Sequence, residues 1–158
     1  MTDAQINEFR IKKSWRLGYT IVGLIMIAFG CWAISLYIGG IGGVNRLIAG
    51  IVIIFFVAYV VIDRNVLRLI ITDDYVERRS IRTTRIKFSE ASELVLINSK
   101  AYFKSEKSRI IVGDEFVDMD GLIDLLTRKA VDKKIPVSGD DFMMNKYYKP
   151  LKKDTEDP

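Results

Sequence analysis

Residues 17–62 read LGYTIVGLIMIAFGCWAISLYI, then GGIGG, then VNR, then LIAGIVIIFFVAYVVI. Neither apolar run carries a charged side chain. A helix of about 18 apolar residues is long enough to cross a hydrocarbon layer about 30 Å thick. The first run, of 22 residues, exceeds that length, and the second, of 16 residues from Leu47, reaches 19 once Val44 is counted. The glycine-rich link at residues 39–43 is too short to be a domain and can only turn the chain back. The stretch therefore predicts two antiparallel helices, a membrane hairpin.

In lipid, small residues let helix backbones approach closely. Gly23 and Gly30 fall on one face of the first helix, and Ala49 and Gly50 of the second are positioned to meet them. Trp15 and Tyr19 at one end, and Trp32 and Tyr37 toward the other, suit the aromatic belts of a membrane interface. Arg10, Lys12, Lys13 and Arg16 precede the first span, and Arg64 and Arg68 follow the second. Only Arg46, expected to reach toward the far interface, lies near the link. Basic residues collect on the cytoplasmic side, so both termini are expected in the cytoplasm and the hairpin in the inner membrane. Residues 1–16 carry Asp3 and Glu8, and the apolar run that follows is longer than a signal h-region and ends at no small-residue cleavage site, so the first run is expected to stay in the mature protein. This opening segment reads as a frayed terminus, or as a short amphipathic helix on Ile6, Phe9 and Lys13.

Composition narrows the chemistry. The chain has 158 residues, with 24 basic and 20 acidic side chains and a net charge of +4, too small an excess for a nucleic-acid binder. It has no histidine and one cysteine, Cys31, within the first span. That removes the commonest general base and metal ligand and any intramolecular disulfide. No phosphate-binding glycine loop is present. No metal or cofactor is expected, and the chain does not read as an enzyme.

Beyond residue 66 the pattern changes to short β-rich segments separated by polar turns. Candidate strands lie at residues 66–72, 75–81, 85–88, 94–97, 101–103 and 109–112, with a short seventh at 115–117. Met119, Leu122, Ile123, Leu126 and Ala130 then follow helical spacing. Asp118 or Asp120 is placed to cap the helix, Lys133 and Lys134 complement its dipole, and Pro136 ends it. The pairs Asp73-Asp74 and Asp114-Glu115 read as turn residues. The organisation expected is an N-terminal segment (1–16), a hairpin (17–62), a small domain (66–135) and a C-terminal tail without its own core (136–158).

Seven short antiparallel strands closed by one helix resemble a pleckstrin-homology-like (PH-like) domain, as found after a two-helix hairpin in bacterial membrane proteins. The resemblance rests on Ile71-Thr72-Asp73-Asp74, Arg78-Arg79-Ser80-Ile81, Ile86-Lys87-Phe88-Ser89-Glu90, Leu94-Val95 and the helix at 119–126. It implies a small β-sandwich or barrel serving as an interaction module. The first turn is short and acidic here, unlike the basic loop of phosphoinositide-binding members, so that ligand is not carried over.

Arg78, Arg79, Arg82, Arg85 and Lys87 form the densest basic cluster. They are either a surface for anionic lipid headgroups or a solvated outer strand face. The function expected is a non-enzymatic, membrane-anchored scaffold that binds a protein or anionic lipid at the inner surface, alone or as a homo-oligomer. The alternative is an accessory subunit or small oligomeric channel acting through the hairpin.

Overall fold

In the computed structural model, which describes residues 6–151, the two apolar runs form helices α1 (Lys13–Ile38) and α2 (Val44–Val66). Both are long and apolar enough to cross a membrane. The link turns through Gly40 at φ +78° and Gly42 at φ +117°, a region that glycine adopts without a Cβ clash. Arg46 folds back on this link, its Nη1 donating to the Ile41 carbonyl at 2.9 Å.

Glycine sets how closely the helices approach. A Cβ on Gly50 would lie 2.6 Å from Ile34 Cγ1 and 2.7 Å from the Gly30 carbonyl oxygen. One on Gly30 would lie 2.8 Å from Ile54 Cγ1, and one on Gly23 would overlap Val61. These three glycines are buried, whereas Ala49 is exposed and takes no part in the seam. Toward the other end Arg16 Nε donates to Asn65 Oδ1 at 3.3 Å, and Asn65 Nδ2 donates to the Val61 carbonyl at 2.8 Å. The large apolar side chains point outward instead, Phe55 being 74% and Phe56 66% exposed.

The second compact unit joins the opening segment to everything after the hairpin. Eight strands are present among the described residues: β1 (Asn7–Arg10), β2 (Arg68–Ile71), β3 (Tyr75–Arg79), β4 (Thr84–Lys87), β5 (Ala91–Ile97), β6 (Lys100–Ser105), β7 (Arg109–Val112) and β8 (Val137–Gly139). They make two four-stranded sheets, ordered β1-β2-β3-β4 and β7-β6-β5-β8. All pairings are antiparallel except β5 with β8. The sheets do not close into a barrel, and the count and the one parallel pair differ from the seven antiparallel strands expected. Leu69, Ile71, Val76 and Ile86 of the first sheet are buried, as are Leu94, Leu96, Phe103 and Ile110 of the second. Phe88 meets Phe103 edge-on with ring centres 5.3 Å apart.

Three expectations need correction. Within the opening segment Asn7 to Arg10 form a strand, not a frayed end or an amphipathic helix: they pair with Ile71 to Arg68, so the domain's first strand precedes the hairpin. Residues 115–117 are a turn with a single β-bridge residue, Phe116, rather than a strand; the Phe116 amide donates to the Gly113 carbonyl and the Val117 amide to the Arg10 carbonyl. The C-terminal segment is docked. After α3 (Met119–Asp132), capped by Asp118 through the Gly121 amide, the chain adds β8 and then α4 (Asp141–Met143), which continues into a π-helical stretch, Met144–Tyr148. Met143 and Tyr147 are buried, and Tyr147 Oη donates to Asp120 Oδ1 at 2.5 Å. Lys152, Lys153 and the acidic stretch at 154–158 lie outside the described residues.

Gly50→Ala should destabilise the full chain in detergent by about 1–3 kcal/mol, because the new methyl group meets a backbone carbonyl that cannot yield. Gly18→Ala should be neutral, since a Cβ there meets nothing within 4 Å. Thermal unfolding of the two variants checks the pair.

Candidate functional site: the arginine end of the first sheet

Register decides which charges meet. Arg10 pairs with Arg68, and Arg68 with Arg79, so three arginines form one row across β1, β2 and β3. Neighbouring strands are about 4.8 Å apart, which holds the row within roughly 10 Å. Arg78 stands one position further in, opposite Thr84, and Arg82 lies in the turn that follows β3. Five arginines therefore share one end of the sheet. This is the end at which the chain departs toward α1 and returns from α2. The turn at residues 72–74, with Asp73 and Asp74, lies at the opposite end, where Asp73 Oδ1 accepts from Lys129 Nζ at 2.6 Å.

Alternation splits these residues between two faces. Val76 and Ile86 point to the core. On the other face stand Glu8, Arg10, Arg68, Tyr75, Glu77, Arg79, Arg85 and Lys87. Glu8 Oε1 accepts from Arg10 Nε at 3.0 Å and from Arg68 Nη1 at 3.2 Å. Glu77 is wholly buried. Its Oε1 accepts from Arg79 Nη2 at 2.7 Å, and its Oε2 from Arg85 Nη2 at 2.5 Å. Each guanidinium adds an Nε bond, at 2.9 and 2.6 Å. The Arg85 guanidinium also stacks 4.3 Å over the Tyr75 ring.

Burial pushes the Glu77 carboxyl up, but the hydrogen bonds and charges of Arg85 and Arg79 outweigh it and hold the group below its ordinary value. The Arg85 guanidinium is raised, chiefly by its bond to Glu77. Glu8 is lowered, chiefly by Arg10. Four guanidinia share two carboxylates on this face, so positive charge is left over. Half-exposed forks such as those of Arg79 and Arg85 can still donate outward to a phosphate or carboxylate.

Of the five basic residues singled out in sequence, Arg79 and Arg85 meet at Glu77. Lys87 shares their face and lies 3.6 Å from Glu90. Arg78 belongs to the opposite face, and Arg82 to the turn. Arg10, Arg68, Glu8 and Glu77 complete the constellation and were missed as members of it. The alternation Asn7-Glu8-Phe9-Arg10 was the available signal for the first strand. Pairing outward from the turn at residues 80–83 would have set Glu77 opposite Arg85.

No protein-family model matches this chain, and no curated protein and no solved structure matches it.

Glu77→Gln should lower stability by about 1.5–3 kcal/mol at neutral pH, the range for hydrogen bonds to a charged group. A carboxyl held below its ordinary value stabilises the fold above that value, 4.5, and the contribution disappears as pH falls through the lower folded value. The gap between wild type and variant should therefore be constant near pH 7 and shrink at acidic pH. Chemical denaturation at stepped pH measures it.

Proposed function

We propose that this chain is a non-enzymatic, membrane-anchored binding protein. Its hairpin crosses the inner membrane with both termini cytoplasmic, and the arginine end of its first sheet meets anionic lipid headgroups. The carrying observation is the register that gathers Arg10, Arg68, Arg78, Arg79 and Arg82 where the chain joins the hairpin. In the sequence Arg10 comes just before α1 and Arg68 just after α2. Each Lys or Arg near an anionic leaflet contributes about 1 kcal/mol.

Membrane insertion is supported by helix length and by the outward apolar surface. Helices of 26 and 23 residues rise about 39 and 35 Å, at 1.5 Å per residue. That covers a core of about 30 Å. Basic residues at the sheet end of the hairpin, with Arg46 alone at the link, support the cytoplasmic orientation. Two split sheets followed by a helix support a PH-like reading in which the hairpin occupies the connection between the first two strands. The channel alternative loses ground, because Gly23, Gly30 and Gly50 are used inside the hairpin.

Hydrogen exchange on the full chain in nanodiscs tests this reading. Amides of the turn at residues 80–83 should be protected more with anionic than with zwitterionic lipid, and the difference should fade at high salt. The double variant Arg10→Gln, Arg68→Gln should lose roughly 2 kcal/mol of that docking, about thirtyfold in protection. Equal protection on both lipids would refute the lipid assignment.

A further inference from the structure

Gly18 stands apart from the other α1 glycines. Gly23 and Gly30 are filled by α2 side chains, whereas the space beside Gly18 is open. Together with Ser14, Trp15, Tyr19 and Val22 it forms an apolar notch of about 430 Å³ on the outside of the helix. Small-molecule sites span about 300–1,000 Å³. The Trp15 and Tyr19 rings lie 5.8 Å apart along one side. The Arg64 guanidinium of α2 lies 5.5 Å from the centre of the Tyr19 ring, one of the walls of the notch.

We infer that this notch is a binding site for a single anionic phospholipid, with one acyl chain lying against Gly18 and Val22 and the phosphate facing Arg64. The inference rests on the membrane reading given above. Position along the helix supports the arrangement. Trp15 lies near the start of α1, where an interfacial aromatic belongs, and Val22 lies two turns deeper. Charge decides against a second copy of this chain as the occupant. A helix docked symmetrically there would bring Lys12, Lys13, Arg16 and Arg64 of two chains together, whereas a lipid phosphate neutralises Arg64.

Trp32→Phe leaves Trp15 as the sole tryptophan, since the chain has two. The full-length variant is reconstituted in phosphatidylcholine vesicles. These contain a fixed mole fraction of either brominated-chain phosphatidylglycerol or brominated-chain phosphatidylcholine. With one close cation worth about 1 kcal/mol, the anionic quencher should bind beside Trp15 roughly fivefold more tightly than the zwitterionic one. Gly18→Leu, which fills open space, should abolish that preference. Arg64→Gln should abolish it too, while leaving quenching by the zwitterionic lipid intact. Equal quenching by both lipids in the parent would overturn the site and leave the anchoring reading standing. Trp15 shielded from both lipids, in protein that still floats with the vesicles, would mean that another helix fills the notch. Protein that neither floats nor is quenched would refute the anchoring and the site together.

Discussion

Four backbone pairs, from Asn7 with Ile71 to Arg10 with Arg68, hold together strands separated in sequence by the whole hairpin. Such a non-local ladder forms only if the intervening chain returns to its starting point. Helices α1 and α2 meet that requirement because they differ little in length and turn through a short glycine link. Close packing at Gly23, Gly30 and Gly50 and the Arg16–Asn65 bond hold the helix pair together. Closing a loop costs entropy that grows only logarithmically with its length. A preformed hairpin reduces that cost further, because most of its residues are already ordered. The domain's first sheet thus depends on the hairpin, and both hairpin ends are fixed side by side.

The same ladder creates the electrostatic character of this end. Like charges on adjacent strands destabilise a sheet, yet Arg10, Arg68 and Arg79 lie in one row. Glu8 and Glu77 offset part of the repulsion. Glu77 does so from a buried position, where a carboxylate persists only if charged donors satisfy it. Its two partners keep their outer surfaces accessible, 56% for the Arg79 side chain and 52% for Arg85. The remaining surplus of positive charge is the basis for the proposed contact with an anionic leaflet.

Much of the fold was legible because it rests on local pattern. The charge-free runs, the strand–turn alternation after residue 66 and the apolar spacing from Met119 to Ala130 each declare their element. Elements that depend on distant pairing were not legible. β1 has four residues, and its partners lie beyond the hairpin. β8 pairs with β5 only after α3 has carried the chain across. The docked C-terminal segment is capped by Asp140, whose carboxylate accepts from the amides of Met143 and Asn98, one of them distant in sequence. For the site, sequence located Arg78, Arg79, Arg82, Arg85 and Lys87 as a cluster. It could not add Arg10 and Arg68, because their place in the row is set by register between strands distant in sequence.

Thiol accessibility in sealed membrane vesicles tests the central claim most directly: that the hairpin crosses the bilayer while the domain, assembled across its two ends, stays on one side. In a Cys31→Ser background, single cysteines are placed at Ile41 in the link and at Asp114 in the domain. A membrane-impermeant thiol reagent should label the two positions from opposite sides of the membrane. Labelling of both from the same side would contradict the account.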